Sequence, residues 1–121
     1  MMSKALLIVD HGSTLDEANV MLEEVAAIVR RKRGGLLVHI AHMELARPTL
    51  EEGVEACVRD GATEVIVHPY MLSPGRHATH DIPAMVERAA ARFPCVTFRV
   101  TGPLGIHDKI GEVVIERAGL A

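Results

Sequence analysis

Four short apolar runs alternate with four stretches of helical periodicity along this chain. The runs are Ala5–Val9, Leu36–Ala41, Val65–Val67 and Val96–Val100. The first and third are continuously apolar, the pattern of strands covered on both faces, and the fourth alternates weakly. Between the first two runs, Leu15, Ala18, Leu22, Val25 and Val29 recur at spacings of 3 and 4, which predicts a helix from about Thr14 to Lys32 with that stripe turned inward. Ser13 or Thr14 would cap it, Arg30-Arg31-Lys32-Arg33 suits its C-terminal dipole, and Gly34-Gly35 stops it. A second helix is expected from Pro48, with Leu50, Val54 and Cys57 inward and Gly61 closing it. A third begins near Thr79–Asp81, with Ile82, Met85, Val86, Ala89 and Phe93 on one face and Pro83 in its first turn. A fourth covers about Asp108 to Arg117. Such alternation predicts an α/β three-layer sandwich: a central parallel four-stranded sheet flanked by helices, one domain over residues 1–121.

Composition narrows the function classes. Lys and Arg number 13 against 16 Asp and Glu, a net charge of −3, which argues against a broad nucleic-acid-binding face. No apolar run approaches the roughly 18–20 residues of a membrane-spanning helix, so no membrane partner is expected. Residues 1–9 run straight into Asp10-His11-Gly12-Ser13 without a small-residue cleavage site, which reads as a buried strand and a cytoplasmic chain. Cys57 and Cys95 sit in apolar patterns and are expected to be buried free thiols. Aromatic residues make up only 2%, so the core must be aliphatic.

Histidine, at 7, is abundant for this length, and its placement matters more than its number. Ligands of open parallel sheets bind at the carboxyl ends of the strands. His11, His42, His77, His80 and His107 all follow predicted strands, so five of the seven histidines fall on one edge. His39 and His68 lie inside strands and receive no role. Imidazoles with a carboxylate suit a divalent metal, proton abstraction, or both. For His11 the alternative is a turn in which the ring bonds only backbone. Gly12 and Ser13 can offer N–H groups to an anion. Asp10 is a candidate ligand, an orienting partner for a histidine, or simply the end of a strand. Glu44, in an otherwise apolar link beside Met43, needs a partner or a function, and a salt bridge to Arg47 is its plain alternative. The long loop Tyr70–His77 offers Met71, Leu72 and Pro74 as a flat apolar surface, and Arg76 as a partner for a substrate carboxylate; the alternative is an ordinary loop packed on itself. His42 reads as a supporting group, and His107 as a surface residue. A serine nucleophile has little support, because G-x-S-x-G is absent, as are the Walker and G-x-G-x-x-G patterns.

Leu7-Ile8-Val9-Asp10-His11-Gly12-Ser13, Ala41-His42-Met43-Glu44-Leu45-Ala46-x-Pro48-Thr49, Pro69-Tyr70-x-Leu72-Ser73-Pro74-Gly75-Arg76-His77-x-x-x-Asp81-Ile82-Pro83 and Thr101-Gly102-Pro103-Leu104-Gly105-Ile106-His107 together resemble the CbiX/SirB family of sirohydrochlorin chelatases. The resemblance covers nearly the whole chain. It implies a chelatase-like fold and a lyase-type metal chelatase that inserts cobalt or iron into sirohydrochlorin, or a related tetrapyrrole, in cobalamin or sirohaem biosynthesis. It implies His11 and His77 as paired catalytic and metal-holding histidines, with Glu44 near the metal; His80 departs from the pattern, since relatives often carry an acidic residue there, and is a further candidate ligand. Gly12, Ser13, Met43, Leu72, Ser73, Pro74, Gly75 and Arg76 then form the substrate surface. No tightly bound cofactor is expected; the divalent metal (Co2+, Fe2+ or Ni2+) is substrate. Longer members of the family carry two such lobes, so a homodimer is the expectation here. The competing reading is a non-catalytic metal-binding module or metallochaperone of the same fold.

Overall fold

A computed structural model describes residues 3–121. Four strands, β1 (Lys4–Asp10), β2 (Leu37–His42), β3 (Glu64–Pro69) and β4 (Thr97–Val100), form one parallel sheet in the order β2-β1-β3-β4. Helices α1 (Asp16–Lys32), α2 (Leu50–Arg59), α3 (Ile82–Ala90) and α4 (Asp108–Arg117) follow them in turn. The sheet is α/β with helices on both faces, as the alternation predicts. From β1 the chain steps one way to β2, then crosses back over β1 to β3 and continues to β4. Right-handed crossovers of opposite direction put their helices on opposite faces, so α1 lies alone on one side and α2 and α3 share the other. The connections after β1 and after β3 depart in opposite directions, which opens a crevice at the carboxyl ends of these neighbouring strands. Register keeps those ends level: Asp10 lies opposite His42, and Val9 opposite Pro69.

Two aliphatic layers hold the sandwich. Leu7, Val9, Ala41, Val65 and Val67 pack on Leu50, Val54 and Cys57 of α2 and Ile82 and Val86 of α3. Helix α2 comes close because residue 53 is glycine: a Cβ there would lie 2.7 Å from Leu7 Cδ1 and 3.0 Å from Ala41 Cβ. The smaller layer joins Ile8, Val38 and Ile40 to Leu22 and Ala26 of α1.

Several expectations are corrected. The inward stripe of α1 centres on Leu22 and Ala26; Leu15 precedes the helix, in its N-cap position, and is exposed. Neither Ser13 nor Thr14 is that cap; Ser13 Oγ instead accepts the Leu15 N–H at 3.0 Å. Helix α2 begins at Leu50, after Pro48, because Thr49 caps it. β3 is buried only toward α2 and α3; Glu64, Ile66 and His68 on its other side are partly exposed, since α1 covers only the β1–β2 half of that face. Helix α4 has the predicted bounds but buries none of its residues. Cys57 is buried, and desolvation pushes its thiol up to about 12, whereas Cys95 is exposed. Among the described residues, no helix is long and apolar enough to cross a membrane.

Candidate active site

The crevice between the ends of β1 and β3 is where the predicted site residues meet. Beyond His42 the chain leaving β2 keeps donating to the end of β1: Met43 N–H to the Asp10 carbonyl at 2.9 Å and Glu44 N–H to that of His11 at 3.2 Å. This approach requires glycine at position 12, which has φ +93° and whose Cβ, if present, would lie 1.8 Å from the Glu44 carbonyl oxygen. His11 and Glu44 are thereby brought side by side, with His11 Nε2 3.4 Å from Glu44 Oε1. The plain alternative for Glu44, a bridge to Arg47, is not made: Arg47 turns to Glu52 at the start of α2.

His77 arrives from the other side of the crevice. Its ring centroid lies 4.7 Å from that of His11, edge-on at an interplanar angle of 75°. It opens a π-helical turn, His77–Asp81, that runs directly into α3, closed by the Ile82 N–H donating to the His77 carbonyl. The third helical segment therefore starts earlier than its sequence pattern indicates, and its first turn is wider. Within that turn Asp81 Oδ2 accepts from His77 Nδ1 at 2.9 Å. A carboxylate only accepts hydrogen bonds, so the proton of a neutral His77 resides on Nδ1 and the lone pair on Nε2. Asp81 also takes His80 Nδ1 at 3.0 Å, and Arg76 Nε lies 3.9 Å away. The bond from His80, followed by that from His77, holds the Asp81 carboxyl below its ordinary range.

A cavity of about 250 Å³ is lined by His11, Met71, Leu72, Ser73, Gly75, His77 and Ala78. Its loop is tied to the segment after β4, whose Leu104 and Gly105 N–H groups donate to the carbonyls of Met71 and Leu72, both at 2.9 Å.

His11, Glu44 and His77 thus come together, and Leu72, Ser73 and Gly75 adjoin the two rings. Pro74 and Arg76 are exposed on the same loop, with Arg76 free enough to meet an anion from solution. The other expected substrate contacts have structural partners. Gly12 makes the backbone approach possible, Ser13 is held by Asn19 through bonds of 3.0 and 2.8 Å, and Met43 packs partly on the core. His80 sits on Asp81, and His107 is no idle surface residue: its Nδ1 caps α4 by accepting the Lys109 N–H at 3.1 Å. Asp81 emerges as the partner of His77 only in the structure, although the His77…Asp81 spacing of i,i+4 on a helical turn carries that signal.

Among the described residues, no three His, Cys, Asp or Glu side chains are arranged to enclose a metal ion. His11, which touches both Glu44 and His77, is the centre of an open donor row. About half of each of these three side chains remains exposed. An open row of two imidazoles and a carboxylate can hold a borderline metal loosely, and it can accept protons near neutral pH.

The chain is similar to known proteins both in sequence and in fold. The CbiX family model matches residues 5–120. The chain is 43% identical over 112 residues to a chloroplastic sirohydrochlorin ferrochelatase of Arabidopsis thaliana, covering 93% of this chain and 50% of that protein. The sirohydrochlorin chelatase SirB of Bacillus subtilis subspecies spizizenii, solved in complex with cobalt, superposes with a TM-score of 0.90 at 35% identity, covering 98% of this chain and 50% of that one. A CbiX protein of Marinobacter aquaeolei VT8 superposes at 0.79 with 29% identity, covering 96% of this chain and 94% of that one. The chain spans about half the length of the Arabidopsis and Bacillus proteins. With a parallel sheet of this order and a family match over residues 5–120, the chain belongs to the CbiX family.

Proposed function

We propose that this protein inserts a divalent metal, Co2+ or Fe2+, into sirohydrochlorin. The observation that carries the proposal is the edge-on pair of His11 and His77, with Glu44 on His11, at an open sheet edge. The names of the relatives, a sirohydrochlorin ferrochelatase and a sirohydrochlorin chelatase with cobalt, support the substrate.

Insertion replaces two pyrrole protons with one metal ion, so the site must both release a cation and take up protons. Neutral imidazoles bind the aquo-metal through nitrogen lone pairs, and an incomplete ligand set lets it leave. Asp81 fixes His77 with Nε2 as the basic nitrogen, and Glu44 stabilises an imidazolium formed on His11. Arg76, only loosely bound to Asp81, is placed to meet one of the substrate's carboxylates, and Leu72 with Met71 gives the ring an apolar rest. His80 serves through Asp81.

Mixing the protein with sirohydrochlorin and Co2+ should shift the absorbance of the tetrapyrrole faster than the protein-free control. His77→Ala should lower the rate by about a hundredfold, the usual scale of a lost acid–base group, with its circular dichroism unchanged. Tight Co2+ binding without faster insertion would instead establish a metal-binding module or metallochaperone.

The proposal extends to a second copy of the chain as partner. Val113, Val114 and Ile115 on α4 are 48%, 63% and 48% exposed, and Ile106 and Leu120 beside it are exposed as well. Exposed apolar side chains gathered on one helix and its flanks mark an association surface. A SirB chain of twice this span, and a CbiX chain of this same span, support one lobe pairing with another. Two free thiols suit the reducing environment of the cytoplasm.

A further inference from the structure

We infer that Asp10 and His42 are a positioning pair that sets the distance between His11 and Glu44; this rests on the chelatase reading above. Among the described residues, His42 is the one buried polar side chain of the core, 1% exposed. Its Nδ1 lies 2.5 Å from Asp10 Oδ1. The carboxylate can only accept, so the imidazole donates from Nδ1. The two residues face each other at the last register position of β1 and β2, and each precedes a site residue: His11 directly after Asp10, and Glu44 two places after His42.

The segment that carries Glu44 begins and returns at His42. Met43 N–H bonds the Asp10 carbonyl, and six residues on, the Pro48 carbonyl accepts the His42 N–H at 2.9 Å, with Thr49 bridged to His42. Between them Leu45 takes a left-handed φ of 71°, which a leucine adopts only where its surroundings compel it. The space where a Gly12 Cβ would stand is 3.2 Å from His42 Cβ. The pair therefore sits at the base of both backbones whose side chains meet as His11 and Glu44. An apolar side chain of equal bulk would fill the volume, but it would leave only the backbone bonds between the strand ends and no side-chain tie beneath them. Buried hydrogen-bonded pairs define one arrangement where apolar contacts permit several.

The test compares His42→Asn, whose amide can donate to Asp10 from nearly the position of Nδ1, with His42→Leu, which keeps bulk and loses the bond. Both are measured by circular dichroism, by kcat and KM for Co2+ insertion, and by calorimetric Co2+ affinity without tetrapyrrole. His42→Leu should lower kcat and weaken Co2+ binding by about tenfold or more, the scale for groups that orient metal ligands, while KM for sirohydrochlorin stays within about twofold. His42→Asn should recover most of both losses. Equal behaviour of the two variants, or full kcat and Co2+ affinity in His42→Leu, would overturn the inference. Should His42→Leu fail to fold, Asp10→Ala removes the same bond from the more accessible side, and the same fall in kcat and Co2+ affinity is expected. A wild-type protein that inserts no metal would refute the chelatase reading alone, because Co2+ affinity still decides the role of the pair.

Discussion

At the scale of single residues, position 12 shows how the backbone around a site can dictate a residue type. Glycine there accepts both a positive φ and a carbonyl oxygen where a Cβ would stand, and that contact lets the ends of β1 and β2 come together. Gly12→Ala is expected to destabilise the fold by about 2 kcal/mol or more, read from urea unfolding, since neither backbone can withdraw without breaking the ladder. A loss below about 0.5 kcal/mol would mean that the loop yields freely. Glu44 makes a related point. Its residue type and setting could be read from the sequence, but not its partner. Arg47 lies three places away and was available, yet it is held by Glu52, and Glu44 is left to His11.

The start of α2 explains that diversion at the scale of an element. Thr49 and Glu52 form a reciprocal cap: the Glu52 N–H donates to Thr49 Oγ1, and the Thr49 N–H to Glu52 Oε1. Bonds from Arg47, followed by those from Thr49, lower the Glu52 carboxyl to about 2 from an ordinary 4.5. A carboxyl lowered on folding adds stability above its unfolded value and loses it as pH falls toward the folded value. The gap in melting temperature between wild type and Glu52→Gln should therefore be widest near neutral pH, shrink below about pH 4.5 and close near pH 2. A gap of constant width would show that the charge is idle. The capping pattern T-x-x-E was present in the sequence, whereas Pro48 suggested an earlier start. In α3 the difficulty was the reverse: a π-helical turn has no distinctive periodicity, so His77 was expected in a loop although it begins the helical segment.

The whole molecule is asymmetric across its sheet. α2 and α3 complete one layer, while α1 covers only half of the other, and α4 stands with its apolar residues exposed. Covering that helix with a second copy predicts a dimer by light scattering at micromolar concentration. Val114→Asp should shift it to monomer with helicity preserved, because a charge on an apolar contact leaves one group desolvated and unpaired. A wild-type protein that is monomeric at all concentrations would remove the second copy as partner.

The succession of elements, the aliphatic core and the gathering of histidines at one edge were all determined by the sequence, because each depends on local periodicity or on the general rule that parallel strands present their carboxyl ends to ligands. Which side chains meet was decided only by the tertiary structure. The pairs His11–Glu44, His11–His77 and His42–Asp10 join residues from 32 to 66 positions apart, and Asp81 gained its role from a turn whose width no pattern announced. The cover of a helix is equally non-local: α4 is amphipathic by sequence, and only the assembled sheet shows that its apolar face has no partner within the chain's described residues.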